Sequence, residues 1–187
     1  MNSLDLECVL EQCWSAFRTG AEEAESPWRL PVVGTAGSEG AELRTVVLRE
    51  ADEVSRTLVF HTDARSRKVK LLEEAGQAAW LFFNPQSGVQ IRAQSRATLH
   101  QNNDTARNLW EQVPPEARVN YSSALTPGNP VKDQPLRLLN DDEAFLNFMV
   151  VQCKIDFLDW LQISEDGHQR AQFTWNGRTW NGTQIAP

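Results

Sequence analysis

Basic side chains are concentrated in one segment of an otherwise acidic chain. Residues 44–70 contain seven lysines and arginines against four acidic residues, whereas the whole protein has a formal net charge of −7. Within that segment, Ser66, Arg67 and Lys68 stand where a helix is predicted to begin. Free backbone N–H groups favour an anion at such a place, and arginine donates paired hydrogen bonds to phosphate. The pattern predicts an anion site, and a solvated helix face is the alternative explanation.

The sequence lacks several common motifs of nucleotide-binding proteins and enzymes. Gly34, Gly37 and Gly40 lack the spacing of a dinucleotide-binding loop and precede a strand rather than a helix. The chain contains neither a G-x-S-x-G elbow nor an H-E-x-x-H helix. The three histidines are widely separated and the three cysteines have no metal-ligand spacing, so we expect no metal site.

Length and composition restrict the class of protein. The 187 residues, 41% hydrophobic and 23% charged, suit a single domain over residues 1–187, with an N-terminal helix and connector at 1–27. Net negative charge disfavours nucleic acid and anionic membranes as partners, and no apolar run is long enough to span a bilayer. The acidic N-terminus does not resemble a signal peptide, so we expect a cytoplasmic protein with reduced thiols.

Hydrophobic periodicity predicts the elements that position the basic segment. Helices are predicted at 4–18, 64–76, 104–113 and 141–150. Strands are predicted at 30–37, 41–50, 57–63, 78–85, 89–100 and 152–163, before a C-terminal hairpin with a type I′ turn at Asn176-Gly177. The strand at 78–85 is apolar throughout, so both of its faces should be buried. The order of elements indicates an α+β fold with an antiparallel sheet, and closure into a barrel would remove its edges.

Four spaced motifs follow one another along the chain: Arg44-Thr45-Val46-Val47-Leu48-Arg49, Phe60-His61-Thr62-Asp63, Arg65-Ser66-Arg67-Lys68, and Gln90 within VQIRAQ. Together they resemble the FMN-binding signature of the pyridoxamine 5′-phosphate oxidase family. The C-terminal segment is similar to the closing strands of that family. The likeness is to the broad FMN-binding branch rather than to the oxidase itself. It implies a mostly antiparallel split β-barrel with peripheral helices, and a homodimer with FMN at the subunit interface.

The resemblance also implies which residues bind the cofactor. The FMN phosphate would be held by Arg44, Arg67 and Lys68, assisted by Thr62 and Ser66. The flavin ring would be lined by the backbone of Thr45, Val46, Val47 and Leu48. His61 would stand where the family often has tyrosine, and Gln90 would form a hydrogen bond near the polar edge of the ring.

The substrate half of the family pattern is only partly present. Arg49 replaces a phosphate-binding lysine, and His168 and Arg170 occur in inverted order. Arg118 and Ser122 are candidates for a further phosphate contact. The resemblance implies an FMN-dependent oxidoreductase that transfers a hydride at flavin N5 with a small anionic substrate, and the flavin carries the redox chemistry. The alternative is a non-catalytic protein that binds FMN, haem or a B6 vitamer as a carrier or sensor.

Overall fold

The computed structural model describes residues 3–38, 40–131 and 137–187. These residues form five α-helices, a 3₁₀ turn at Val119–Tyr121 and nine strands. The helices are α1 (Leu6–Glu22), α2 (Arg67–Ala75), α3 (Asp104–Gln112), α4 (Pro115–Arg118) and α5 (Asp141–Asn147). The strands are β1 (Val32–Gly37), β2 (Gly40–Thr45), β3 (Leu48–Asp52), β4 (Thr57–Asp63), β5 (Gln77–Asn84), β6 (Val89–His100), β7 (Phe148–Gln162), β8 (Gln169–Trp175) and β9 (Trp180–Ile185). No helix among the described residues has the length and apolar composition to cross a bilayer.

All nine strands belong to one antiparallel sheet, in which β7 occupies a central place. The pairing order is β2-β1-β5-β6-β7-β4-β3, with β8 paired to β7 and β9 to β8. One edge of β7 pairs with β6 along almost its whole length. The other edge is divided, because β4 pairs with residues 148–154 and β8 with residues 157–162. The predicted α+β fold with an antiparallel sheet is confirmed, but the sheet is not closed and has edges at β2, β3 and β9.

Arg56 fills the gap between β4 and β8 along β7. Its carbonyl oxygen accepts a hydrogen bond from the Ile155 N–H at 2.7 Å, and its Nη1 donates to the Ile155 carbonyl oxygen at 2.7 Å. Its backbone has a φ of 59°, which is uncommon for a residue other than glycine. Arg56 therefore satisfies backbone groups that neither neighbouring strand reaches.

Two hydrophobic clusters lie on either side of β4. The larger cluster, beneath α1, includes Trp14, Phe60 and Trp80, and the smaller one includes Val59 and Phe148. Successive side chains of a strand point to opposite faces. The next two residues of β4, at positions 61 and 62, must therefore face different parts of the protein.

The single strand predicted at 41–50 is wrong, because the chain bends between Thr45 and Leu48. The Val46 N–H donates to the Pro31 carbonyl oxygen at 3.0 Å, and the Leu48 N–H donates to the Arg29 carbonyl oxygen at 3.0 Å. These bonds to the segment before β1 separate β2 from β3. The run Val46-Val47-Leu48 is continuously apolar, so the sequence contains no turn signal at the bend.

Burial along β5 also differs from the prediction. Trp80 and Phe82 are buried, whereas Ala79 is exposed and Phe83 is 46% exposed. One face of β5 therefore packs on the core, and the other is uncovered in the single chain.

Some element boundaries differ as well. Helix α1 continues to Glu22, into the predicted connector, and α5 stops at Asn147 because β7 begins at the next residue. The irregular stretch predicted at 118–135 includes the 3₁₀ turn, and its residues 132–135 lie outside the described residues. Glu39, in the predicted Gly37–Gly40 loop, also lies outside them.

The C-terminal hairpin is present, but its turn is not type I′. Trp175 pairs with Trp180, so four residues form the loop. Gly177 has a positive φ and Asn176 does not, whereas a type I′ turn requires both. The Asn176 side chain instead accepts hydrogen bonds from the N–H groups of Arg178 and Thr179, both at 2.9 Å.

Candidate functional site

A lysine and two hydroxyl groups meet where β4 ends and α2 begins. Lys68 Nζ donates to Thr62 Oγ1 at 2.9 Å and to Ser66 Oγ at 3.1 Å, and the two oxygens are 3.4 Å apart. Thr62 and Ser66 are buried. Ser66 is the N-cap residue of α2, but its side chain forms no capping hydrogen bond. We call Thr62, Ser66 and Lys68 the Lys68 cluster.

The first turn of α2 is electropositive. It contains Arg67 and Lys68 and no acidic residue, although negative charge stabilises a helix N-terminus. Burial lowers the pKa of Lys68, the charge of Arg44 lowers it further, and Asp63 partly offsets both effects. An anion at this place would neutralise neighbouring cations and accept hydrogen bonds from free helix amides. The arrangement therefore favours anion binding.

Arg44 and Arg67 lie beside the Lys68 cluster and share one carboxylate. The Arg44 guanidinium donates to Thr35 Oγ1 at 2.7 Å and pairs with Glu42 Oε2 at 2.9 Å. Arg67 Nε pairs with Glu42 Oε1 at 2.5 Å. The structure thus brings the three predicted phosphate-binding cations into one region. Sequence reasoning missed Glu42, although alternation along β2 places it on the same face as Arg44.

The bend between β2 and β3 holds the four residues predicted to line a flavin ring. The side chains of Val46 and Leu48 are buried in the larger cluster, and carbonyl groups before β1 occupy their N–H groups. Thr45 is exposed, and Val47 is half-buried. The Val47 N–H has no acceptor within the described part of the chain. Val47 is therefore the residue of the bend that offers a backbone donor.

His61 lies away from the Lys68 cluster, on the opposite face of β4 from Thr62. Its ring packs edge-on against Phe148 with the centroids 4.8 Å apart. Its Nε2 atom is buried and has no hydrogen-bond partner among the residues that the structure describes. Burial, together with the charge of Arg49, lowers the pKa of His61 to about 4, so the imidazole is neutral at pH 7.

Arg49 lies near His61 and Tyr121. Its charge acts on both side chains, and burial raises the pKa of Tyr121 to about 12 despite that charge. Nearby, Arg65 binds Asp63 through two contacts of 3.0 and 2.6 Å and also donates to a loop carbonyl just after Tyr121. Arg49 is therefore close enough to His61 and Tyr121 to affect the pKa of both side chains.

Arg118 and Ser122 make contacts within the helical part of the fold. Arg118 Nη1 pairs with Asp141 Oδ2 at 3.0 Å, and its guanidinium carbon lies 4.9 Å from the Trp110 ring centroid. Ser122 Oγ donates to the Arg118 carbonyl oxygen at 3.2 Å. These contacts connect α3, α4 and α5, and they give both residues a structural role.

Gln90 and Arg170 lie on the outer face of the sheet. Gln90 is opposite Phe83 on β5 and Leu161 on β7, and Leu161 is opposite Arg170 on β8. Residues paired in this way point to the same face. No hydrogen bond or ion pair between described residues joins this row to the Lys68 cluster.

A buried carboxylate holds Arg170 in place. Arg170 Nε and Nη2 donate to the two oxygens of Asp159 at 3.0 and 2.8 Å. Arg92 Nη2 and Gln172 Nε2 reach Asp159 Oδ2 at 2.5 and 2.9 Å. Asp159 is 0% exposed. Burial by itself would raise the pKa of Asp159, but the hydrogen bonds from Arg170, Gln172 and Arg92 lower it to about 2.

The Asp159 network carries one positive charge in excess, because two arginines share one carboxylate. Sequence reasoning found Arg170 but missed Asp159 and Arg92. The register that aligns Arg92, Asp159 and Gln172 across three strands could have revealed them, but register depends on pairing between distant segments.

His168 does not accompany Arg170. It is exposed in the turn between β7 and β8, and its Nδ1 accepts a hydrogen bond from the Ser164 N–H at 3.2 Å. The described residues also include no group of three or more His, Cys, Asp or Glu side chains that could hold a metal ion.

Comparison with known proteins identifies the family of the segment that contains the Lys68 cluster. Residues 11–101 match the family described as pyridoxamine 5′-phosphate oxidase, FMN-binding domain. This segment is similar to that family and makes up just under half of the chain. It contains all four motifs on which the resemblance rests, and the predicted resemblance is confirmed. The match ends before β7, so the likeness of the C-terminal strands rests on fold alone.

Solved structures with the same fold cover the whole chain. A pyridoxamine 5′-phosphate oxidase-related, FMN-binding protein from Nostoc punctiforme is 20% identical, with a TM-score of 0.77 over 100% of both chains. PhzG from Burkholderia lata, in complex with tetrahydrophenazine-1-carboxylic acid, is 20% identical, with a TM-score of 0.71 over 100% of this chain and 95% of that one. A protein from Clostridium acetobutylicum related to general stress protein 26 is 11% identical, with a TM-score of 0.57 over 97% of each chain. The fold is therefore the one shared by these proteins, and the predicted fold class is confirmed.

Replacing Asp159 with Asn should destabilise the protein and make its free energy of unfolding less dependent on pH in the acid range. Loss of the carboxylate leaves Arg92 and Arg170 without their partner, and breaking a buried pair in this way costs about 3 kcal/mol or more. The folded pKa of about 2 lies below the ordinary value of 3.8. The stabilisation is therefore complete above about pH 4 and is lost as the pH falls towards 2. Urea denaturation at a series of pH values measures both effects.

Asp166, in the exposed turn before β8, is the matched control. The Asp166→Asn variant should keep the parent's free energy of unfolding within about 0.5 kcal/mol at every pH. An Asp159→Asn protein as stable as the parent at pH 7 would contradict the role assigned to this carboxylate.

Proposed function

We propose that this protein is an FMN-dependent oxidoreductase whose Lys68 cluster, with Arg44 and Arg67, binds the FMN phosphate. The observation that carries the proposal is the contact of Lys68 Nζ with two buried hydroxyl groups at the acid-free start of α2. Ammonium, guanidinium, hydroxyl and helix amide groups are the donors that a phosphate dianion requires. All of these residues lie within the family segment 11–101.

The remaining cofactor contacts are proposed from donors within the same family motifs. The Val47 N–H has no acceptor among the described residues and is assigned to the polar edge of the flavin ring, together with the Gln90 side chain. When bound, the flavin supplies the redox chemistry of hydride transfer at its N5 atom. The residues of this chain bind and orient it, and none has to act as a nucleophile.

The substrate is proposed to carry an anionic group that Arg170 recognises. The Asp159 network presents excess positive charge on the outer face, and Asp159 acts as a positioning residue because it fixes the guanidinium at two points. The PhzG structure of the same fold holds a carboxylic acid, which supports a substrate of this class.

A second copy of the chain is proposed to cover the outer face of β2, β1 and β5. Leu43 is 72% exposed and Phe83 is 46% exposed on this face. Leu43 also lies over Gly34, where an added Cβ would be 3.0 Å from Leu43 Cδ2. An exposed apolar surface of this kind is typical of a subunit interface. Gln90 and Arg170 share the face, so pairing of two chains would bring them to an interfacial flavin.

The Lys68→Gln variant should bind FMN at least tenfold more weakly than the parent. The substitution removes a charge-assisted contact to the phosphate, worth about 1.5–3 kcal/mol, and keeps a side chain of similar length. Fluorescence titration of the protein with FMN measures the change.

Lys70, on the same helix, provides the control. Its side chain is 77% exposed and lies 4.0 Å from Glu74, so Lys70→Gln should leave the affinity for FMN within about twofold. Equal affinities for the parent and Lys68→Gln would reject the assignment of the phosphate site.

Spectroscopy separates the oxidoreductase from the non-catalytic carrier or sensor. For an oxidoreductase, the flavin absorbance of the FMN-loaded protein should bleach on addition of NADH, NADPH or an oxidisable substrate and recover in air. A loaded protein whose flavin never turns over with any of these reductants, while free FMN in the same buffer is reduced by dithionite, would exclude the catalytic assignment.

The Leu43→Lys variant should be a monomer, because a charge in the centre of an apolar interface disfavours association. The parent should sediment at about twice the 21.1 kDa chain mass. Val54 is 94% exposed in the turn before β4, so Val54→Lys should remain a dimer. Sedimentation of the parent as a single chain would contradict the proposed pairing.

A further inference from the structure

A second cationic region lies at the opposite end of β4 from the Lys68 cluster. It is an open cleft with a cavity volume of about 710 Å³, lined among others by Arg56, Arg96, Lys154, Asp156, Phe157 and Trp175. We call it the basic cleft. Its volume is within the range of sites for small organic ligands.

The basic cleft carries more positive charge than the chain neutralises. Three cations line it and Asp156 is the one carboxylate among its lining residues, on a protein whose net charge is −7. Arg96 Nη2 pairs with Asp156 Oδ2 at 3.3 Å. Lys154 is exposed and forms no ion pair with any described residue. Two positive charges therefore remain in excess, and an anion would neutralise them.

Arg56 is a buried cation with unused donors. The residue is 7% exposed, and its side chain donates one hydrogen bond, to the Ile155 carbonyl oxygen. A guanidinium has five N–H groups, and the described residues offer no other acceptor to this one. The unused nitrogen donors of Arg56 are accessible to solvent, because none is among the buried side-chain atoms that lack a partner, and Arg56 lines the open cleft. An anion in the cleft would supply acceptors that the protein does not.

Aromatic side chains define the second part of the ligand chemistry. The Arg56 guanidinium carbon lies 4.0 Å from the Trp175 ring centroid, so the cation and ring form one planar stack. Phe157 also lines the cleft, and Gln94, Thr98 and Thr174 add neutral polar groups. A planar ring that carries a negative group fits this combination of aromatic and cationic surfaces.

Within a single chain, the basic cleft is distinct from the proposed FMN phosphate site. Arg56 immediately precedes β4, and Thr62 is near its other end. An extended strand rises about 3.3 Å per residue, so six residues separate the two by about 20 Å. None of the residues lining the cleft belongs to the Lys68 cluster.

We propose that the basic cleft binds a small aromatic anion, a planar ring bearing a phosphate or carboxylate group, at a site separate from that of FMN. This inference does not depend on the proposed oxidoreductase activity. Arg56 also satisfies the backbone beside Ile155, so its replacement would disturb the fold. Lys154 is exposed, so its replacement can test the proposal without disturbing the fold.

Calorimetric titration of the full-length protein with phenyl phosphate tests the proposal, both with and without saturating FMN. The parent should bind in both conditions, and Lys154→Gln should bind about tenfold more weakly because one charge-assisted contact is lost. With FMN saturating, Lys70→Gln should match the parent, because Lys70 is exposed and lies outside both sites. Inorganic phosphate should bind at least about threefold more weakly than phenyl phosphate, because it lacks the ring.

Three outcomes would overturn the proposal. The first is that the parent protein shows no saturable binding at about 10 mM phenyl phosphate. Alternatively, Lys68→Gln would abolish binding while Lys154→Gln preserved it, which would place the ligand in the FMN phosphate site. The third is that inorganic phosphate binds as tightly as phenyl phosphate, which would show that Trp175 and Phe157 do not contribute to binding.

Discussion

The position of every candidate site depends on how β7 divides its second edge between β4 and β8. Because β4 pairs with residues 148–154 and β8 with residues 157–162, each strand meets a different half of the same central strand. The first pairing fixes both ends of β4, with Arg56 at one and Thr62 at the other. The second aligns Asp159 with Gln172 and holds Arg170 beside them. A change of register along β7 would therefore move the cations that are proposed to bind phosphate, the Asp159 network and the basic cleft together.

Local sequence patterns predicted the elements whose structure is set locally. The strand at 57–63 has the bounds predicted for it, and α2 ends at Gly76 in the left-handed conformation that a helix-terminating glycine supplies. The predictions failed where distant segments decide the structure. The bend at Val46 depends on the carbonyl groups of Pro31 and Arg29. The exposed face of β5 was not predicted for a similar reason. An apolar strand sequence shows that a face tends to be buried, but not whether residues of the same chain or of another chain bury it.

The residues of the candidate site were likewise predicted where the local sequence decides their position and missed where distant segments decide it. Charge and helix position indicated that Arg67 and Lys68 would face an anion, and the family motifs added Arg44 and Thr62. Alternation along the predicted strand places His61 and Thr62 on opposite faces, but the sequence could not reveal what packs against each face. Partners such as Glu42 and Asp159 were missed for a related reason: alternation assigns a side chain to a face but not to a neighbour.

The carboxylate of Glu42 gives the two arginines beside the Lys68 cluster an internal counter-ion. A phosphate arriving there competes with this tethered group as well as with water. A singly charged phosphodiester would do little more than exchange one negative charge for another. A terminal phosphate monoester carries nearly two charges at neutral pH and gains more from the exchange. In the proposed phosphate site, the tethered carboxylate would thus favour a terminal phosphate monoester over a singly charged phosphodiester without any steric barrier.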